Sequence, residues 1–323
     1  MPTSPELISK TEISEYLISR LNANNLKDLA RLYAEVYGTA AAVDYFPKKY
    51  DTAYTGVENI GFIAYNMDNL PVAYYGVIPC FIQYGNKVML GAQSADTMTH
   101  PKHRYKGMFV ELSNRTFDLC RELGVLLIFG FPNENSYHGA VNKLGWKMTG
   151  TMSCFTIPVK CLPLESISKR IGIFKKIYKR YSRFILDKEL LPLQGIANSV
   201  LCDGFAGVCR SDMYLYYKTY NTAKVIRVGD SKIWINNKYS LVIGDMEGIN
   251  EMNFNFVINK LKRIAGRLGL RQIQFHCSLG TSLHEFFAAN YKATPSYPML
   301  FQDFGSAIPP EKVKFTFADL DIF

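Results

Sequence analysis

The residues best equipped for chemistry crowd into one stretch, THPKHRYKGMFVEL at positions 99–112. His100, His103, Arg104 and Lys106 stand just ahead of Gly107. The pattern predicts a strand ending near Thr99, a loop, and a helix over about 107–123 stopped by Gly124. A helix amino terminus presents unpaired N–H groups and a partial positive charge, so a loop of this kind suits a phosphate. Gly107 lets the backbone approach where a Cβ would obstruct, and Arg104 and Lys106 add mobile charge. Neither GxxxxGK[ST] nor a GxGxxG after a strand occurs, which excludes the common nucleotide loops.

Other constellations are poor. His276, Cys277 and His284 lie close in sequence, but two on a strand and one on a helix, without a further ligand, do not make a metal site; none is expected. No GxSxG elbow, HExxH or catalytic cysteine signature appears.

The elements that must position the loop follow from periodicity. An amphipathic helix is expected over 13–37. Strands follow over 59–65, 72–84 and 88–99, with a turn at Asp68-Asn69. A short buried strand over 125–131 is stopped by Pro132, and a helix over about 136–144 ends at Gly145. Strands over 225–228, 232–236 and 239–243, a helix over 252–268, a strand over 272–277 and a helix over 282–290 repeat that order without repeating any residue motif. Between the halves lies KRIGIFKKIYKRYSRFI, 169–185. On a helix it places Ile167, Ile171, Phe174, Tyr178, Tyr181 and Ile185 near one face, with Lys175, Lys176, Lys179, Arg180 and Arg183 over the remainder.

HPKHRYKGMF resembles the pyrophosphate loop of the GNAT superfamily of acyl-CoA-dependent N-acyltransferases, V-x-P-x-x-R-G-x-G-x-G/A, with Pro101, Arg104, Lys106 and Gly107 in register. The strand VLLIFGF, the turn Pro132-Asn133-Glu134-Asn135 and the helix ending Lys143-Leu144-Gly145-Trp146 resemble the family's next element, which usually ends Y-x-K-L-G-F. The likeness covers about 11–155 and, by order of elements, 206–305, as in tandem-GNAT proteins with one intact acyl-CoA site. It implies an α+β (α/β) fold of two GNAT-like domains, each a mixed twisted sheet flanked by helices: 1–158 with the cofactor site, a basic helical linker 159–200, and a degenerate copy 201–323.

The same resemblance implies an N-acyltransferase that uses acetyl-CoA or another acyl-CoA as co-substrate for direct transfer to a small-molecule primary amine. The backbone of Thr97, Met98 and Thr99 would pair with the pantetheine, the amides of Arg104, Tyr105, Lys106, Gly107, Met108 and Phe109 would hold the pyrophosphate, and Asn133 and Asn135 would orient the cofactor. Tyr105 stands at the family's first loop glycine and Phe109 at its final small residue. Val141 stands at the family's proton-donating tyrosine, which leaves Tyr137, one turn earlier, as the substitute acid. Asp96 and His100 are the candidate bases, with Glu134 and the Phe323 carboxylate behind them. In the second half Ile243–Ile249 carries Asp245 and Glu247 where phosphates would need positive charge, so that half is not expected to bind the cofactor. The alternative reading is a non-catalytic acyl-CoA-binding regulatory module.

Composition bounds these readings. The 323 residues suffice for two domains, and 48% apolar with 20% charged residues reads as folded and not disordered. No apolar run approaches the roughly 20 residues of a membrane span, and 1–14 lacks a basic region followed by an apolar one, so a cytoplasmic protein is expected. Seven scattered cysteines, an odd number, suggest reduced thiols. A formal charge of +9 favours an acidic partner without choosing among coenzyme A, nucleic acid and anionic lipid. Nucleic acid is not expected; a weak membrane-surface contact through 169–185 and a homodimer are further candidate partnerships.

Overall fold

The computed structural model describes residues 15–165, 168, 172–237 and 239–323, with backbone alone at 172–174. In chain order the first half gives β1 Leu17–Arg20, α1 Leu26–Tyr37, α2 Tyr45–Lys49, β2 Ile60–Tyr65, β3 Pro71–Tyr84, β4 Lys87–Thr99, α3 Met108–Glu122, β5 Leu127–Gly130, α4 Glu134–Leu144 and β6 Lys147–Pro158. The second half gives α5 Gly172–Asp187, α6 Ser199–Cys202, β7 Gly207–Val208, α7 Asp212–Tyr217, β8 Lys224–Val228, β9 Ser231–Asn237, β10 Leu241–Glu247, α8 Phe254–Leu268, β11 Gln272–Cys277, α9 Ser282–Ala288 and β12 Ala293–Asp303. This is a mixed α/β fold. Among the described residues no helix is long and apolar enough to cross a membrane.

The described residues divide into two compact units. The first takes those up to 82, then 88–149 and 298–307; the second takes 83–87, 150–297 and 308–323. In the first unit the sheet order is β1-β2-β3-β4-β5, with the end of β12 beside β5. β4 and β5 run parallel, and β12 joins β5 antiparallel from Leu300↔Gly130 to Asp303↔Leu127. The helix α3 packs across β2. It buries Met108, Leu112, Phe117 and Cys120, a stripe at helical spacing, against Ile60, Ala64, Val77, Ala92 and Ile128. Each large side chain so buried contributes roughly 1.5–3 kcal/mol.

One expected helix is corrected. Of the 13–37 prediction, positions 13 and 14 lie outside the described residues, Leu17–Arg20 is a strand paired antiparallel with β2, and the helix begins only at Leu26. The cause is local: Asn22 Oδ1 accepts from the Asn24 amide at 3.0 Å and Asn25 Oδ1 from the Asn22 amide at 2.8 Å. Asparagine side chains that bond the backbone this way offer it a turn in place of a helix. The expected turn at Asp68-Asn69 forms, with Asn69 at φ 57° and Asn66 Oδ1 accepting from the Asp68 and Leu70 amides.

In the second unit β6, β11, β10, β9 and β8 follow one another. β6 and β11 are antiparallel, β10 and β11 parallel, and β9 antiparallel to both β10 and β8. The run β8-β9-β10-α8-β11-α9-β12 repeats β2-β3-β4-α3-β5-α4-β6, and in each run the parallel pair brackets the longer helix. The core gathers Phe155, Ile243, Val257, Leu261, Phe275 and Phe287. Of the basic stretch, Ile167, Lys169, Arg170 and Ile171 lie outside the described residues, as does the side chain of Phe174; the rest is helix α5, packed on α8.

Candidate active site

The parallel ladder between β4 and β5 runs from Gly91↔Leu127 to Ser94↔Gly130 and stops there, while β4 continues to Thr99. Residues 95–99 therefore have no β5 partner on that side. Both following helices, α3 and α4, start beyond the carboxyl ends of this pair, the place where open α/β sheets hold ligands.

The two helix starts differ in one decisive respect. Asn133 caps α4, its Oδ1 accepting from the Asn135 and Ser136 amides at 3.0 and 3.1 Å. The cap of α3 is Gly107 at φ 79°, which brings no side-chain acceptor. Among the described residues the amides of Arg104, Tyr105, Lys106, Gly107, Met108 and Phe109 form no hydrogen bond. Orphan donors are therefore satisfied at α4 and left over at α3, a ready anion site.

Tyr105 holds φ 65°, the left-handed backbone a glycine would adopt freely, and its side chain is fully exposed. It thus copies the backbone of the glycine it replaces without filling the cradle. Phe109 turns inward, its ring 6.0 Å from that of Tyr75 and close against Gly139, where an added Cβ would come within 2.8 Å. Arg104 Nε donates to the Thr99 carbonyl at 3.4 Å. Lys106 Nζ lies 5.9 Å from the Tyr16 ring, and the Tyr16 hydroxyl bonds His103 Nδ1 at 2.8 Å, tying the loop to β1. Burial, helped by His100, Lys106 and Lys102, holds His103 below the usual imidazole pKa.

The candidate bases are differently placed. Asp96 sits at φ 53°, a break in the regular strand, and its carboxylate is engaged on both oxygens. Lys49 Nζ donates at 2.8 Å and the Tyr50 hydroxyl at 3.0 Å. Lys49 and Tyr50 are buried, and burial together with the Asp96 charge pushes the Tyr50 hydroxyl well above its ordinary pKa. Neither residue was singled out in the sequence, because nothing in local spacing joins a lysine ending α2 to an aspartate in β4. His100 Nδ1 accepts from the Lys102 amide at 3.3 Å, so the neutral ring carries its proton on Nε2. Thr97 and Thr99 are half-buried, and Met98 is buried in the core. On α4, Tyr137 is half-buried with its hydroxyl donating to Met148 Sδ at 3.3 Å, Val141 packs on the core, and Asn133, Glu134 and Asn135 are exposed.

A family model described as an acetyltransferase (GNAT) domain matches residues 18–149. The likeness to that family is carried by this segment. Solved structures agree on the fold. The GCN5-related N-acetyltransferase of Kribbella flavida is 12% identical, with a TM-score of 0.59 over 89% of this chain and 71% of that one. The GCN5-related N-acetyltransferase of Anabaena variabilis is also 12% identical, with a TM-score of 0.54 over 90% of this chain and 73% of that one. No curated protein matches the sequence. The matched segment contains the β4–β5 pair, the open α3 start and the candidate site residues from Asp96 to Val141, while Phe323 and the β12 residues that pair with β5 lie outside it.

The corresponding place in the second unit is filled by the chain itself. The β10–β11 ladder stops at Ile243↔Phe275. Over the next residue, Gly244, lies the Phe323 ring, so close that an added Cβ would come within 2.2 Å of it. Asp245 is buried and accepts from Arg210 Nη1 and Ser199 Oγ, each at 2.6 Å, and Arg210 Nη2 bonds Asp319 at 2.8 Å. Burial works against the Arg210 charge, but the carboxylates of Asp319 and Asp245 outweigh it and hold the guanidinium protonated. Asp245 thus serves an internal ion pair, and Phe323 is packed on Trp234 and Phe317 within this unit. His276 and His284 face different partners, Cys154 Sγ at 3.6 Å and Ser153 Oγ at 3.2 Å.

Proposed function

We propose that the protein is an acyl-CoA-dependent N-acyltransferase, with acetyl the expected group, acting on a primary amine of a small molecule. The observation that carries this reading is the uncapped start of α3 beside the free edge of β4. A bound acyl-CoA would supply the thioester and the thiolate leaving group. For this chain's part, the amides of residues 104–109 bind the pyrophosphate, with Arg104 and Lys106 adding charge. The backbone of Thr97, Met98 and Thr99, open on the β5 side, aligns the pantetheine along β4, and Asn135 remains free to orient it while Asn133 serves as the α4 cap. Positioning of this kind is the largest resource such a site has.

Proton transfer is assigned by what each side chain is already doing. Tyr137 gives its proton only to a thioether, a weak acceptor, which keeps the hydroxyl available as general acid. Asp96, paired with Lys49 and hydrogen-bonded by Tyr50, is assigned to holding the bend in β4. His100 serves as base once its Nδ1 lone pair leaves the Lys102 amide; a water chain is the substitute. The second unit is read as a degenerate GNAT-like copy in tandem, its cleft closed by residues 316–323.

Calorimetry of acetyl-CoA with the wild type and Gly107→Glu tests binding, followed by an amine panel scored for free thiol. The second reading, a binding module without turnover, is favoured by Val141 packed at the usual proton-donor position. Its mark is binding with no thiol released from any amine and no effect of Tyr137→Phe.

A further inference from the structure

Helix α5 is pinned on one side and bare on the other. Its Tyr178 hydroxyl donates to the Leu268 carbonyl at 2.9 Å and its Tyr181 hydroxyl to the Arg267 carbonyl at 3.0 Å, both at the end of α8. Leu186 is buried and Ile185 packs on the second unit's core. With 100° per residue, the side opposite these anchors is centred on Asp187 between Lys176 and Arg180, and Phe184 and Ile177 flank it toward Tyr181. Those two apolar side chains are 58% and 63% exposed. They are two turns apart and form one stripe on the face that sequence periodicity assigned wholly to charge.

We propose that this face docks on an anionic lipid surface, Ile177 and Phe184 entering the headgroup–acyl boundary. Charge complementarity selects the partner. Lys175, Lys176, Lys179, Arg180, Arg183 and Lys188 are all exposed, against the single acid Asp187 between 175 and 188. Lys188 Nζ lies 5.8 Å from the Phe184 ring, so cation and apolar side chain occupy the same spot. Leu162, 75% exposed, borders Gly269 at the same end of α8 that holds Tyr181. A nucleic acid would take the charges but offer the stripe no apolar phase. A lipid surface supplies both phosphates at the level of the lysine tips and hydrocarbon beneath, with the lysine stems lying along the boundary. This inference does not depend on the acyl-transfer reading.

The test is co-sedimentation of the full chain with vesicles of phosphatidylcholine alone or of a roughly three-to-one mixture with phosphatidylglycerol. Binding is expected to the mixed vesicles, to fall in high salt, to weaken roughly five-fold for each charge removed in Arg180→Gln and Arg183→Gln, and to weaken at least about ten-fold in Ile177→Ser with Phe184→Ser. These positions are exposed, so melting temperatures should not move, and Phe184→Trp should show a blue-shifted emission on mixed vesicles. Equal binding to neutral vesicles, no binding at all, or indifference to the serine pair would overturn the proposal. So would tighter binding to a single-stranded oligonucleotide that is unaffected by the serine pair, which would make the face a nucleic-acid surface.

Discussion

Tyr105 and Asp96 are both non-glycine residues at positive φ, and they are tolerated for different reasons. Tyr105 has no packing of its own to hold it, so its left-handed backbone is imposed by the loop. Tyr105→Gly should relieve about 1–2 kcal/mol of strain and lose roughly 0.5–1 kcal/mol to chain entropy, for a gain near 0.5 kcal/mol in urea unfolding with acetyl-CoA affinity unchanged within about two-fold. Asp96 is held by its partners. Lys49→Met leaves a carboxylate without its counter-ion and should cost roughly 3 kcal/mol. In a double-mutant cycle with Asp96→Asn, the pair should cost at least about 1 kcal/mol less than the sum of the singles. Additive losses would mean the ion pair is incidental to the bend. The loop was legible in the sequence because charge, glycine and helix start fall within a few residues. The Lys49–Tyr50–Asp96 cluster was not, because it is assembled by tertiary contact between α2 and β4.

At the scale of elements, strands rich in β-branched residues and helices closed by Gly124 and Gly145 could be read closely, since propensity, periodicity and left-handed caps act locally. The Asn-rich turn at 22–25 was also a local signal, and the run of apolar residues around it concealed it. What pattern cannot supply is pairing: nothing in 298–303 announces that it will extend the sheet beside β5. Nor does it announce that Phe323 will occupy the mouth of β10 and β11. That contact predicts a coupled pair of effects. Phe323→Ala should cost about 3–5 kcal/mol, and Gly244→Ala should destabilise by about 1–3 kcal/mol through overpacking. In the double mutant the Gly244→Ala cost should largely vanish; full additivity would mean ring and glycine are not in contact.

For the molecule as a whole, one buried histidine offers a pH signature. His276 stacks on Phe317 at 4.8 Å, has Nδ1 unbonded among the described residues, and is pushed down to about 4 by burial. Its proton is therefore taken up more readily by the unfolded chain between pH 6.5 and about 4, so its contribution to stability is present above that window and lost as pH falls through it. The loss is at most roughly 3 kcal/mol. His276→Phe should flatten the acid limb of the stability curve by up to that amount, and an unchanged limb would show that His276 does not titrate there. The charge of +9 fits both an anionic cofactor and an anionic surface, and only separate binding measurements divide them. The central claim is that the uncapped α3 start receives the pyrophosphate of an acyl-CoA. Calorimetric titration of acetyl-CoA into the wild type and Gly107→Glu tests it most directly. Saturable binding by the wild type with at least about a hundred-fold loss in the folded variant is the expected result, and absence of binding by the wild type, or equal binding by both, would contradict it.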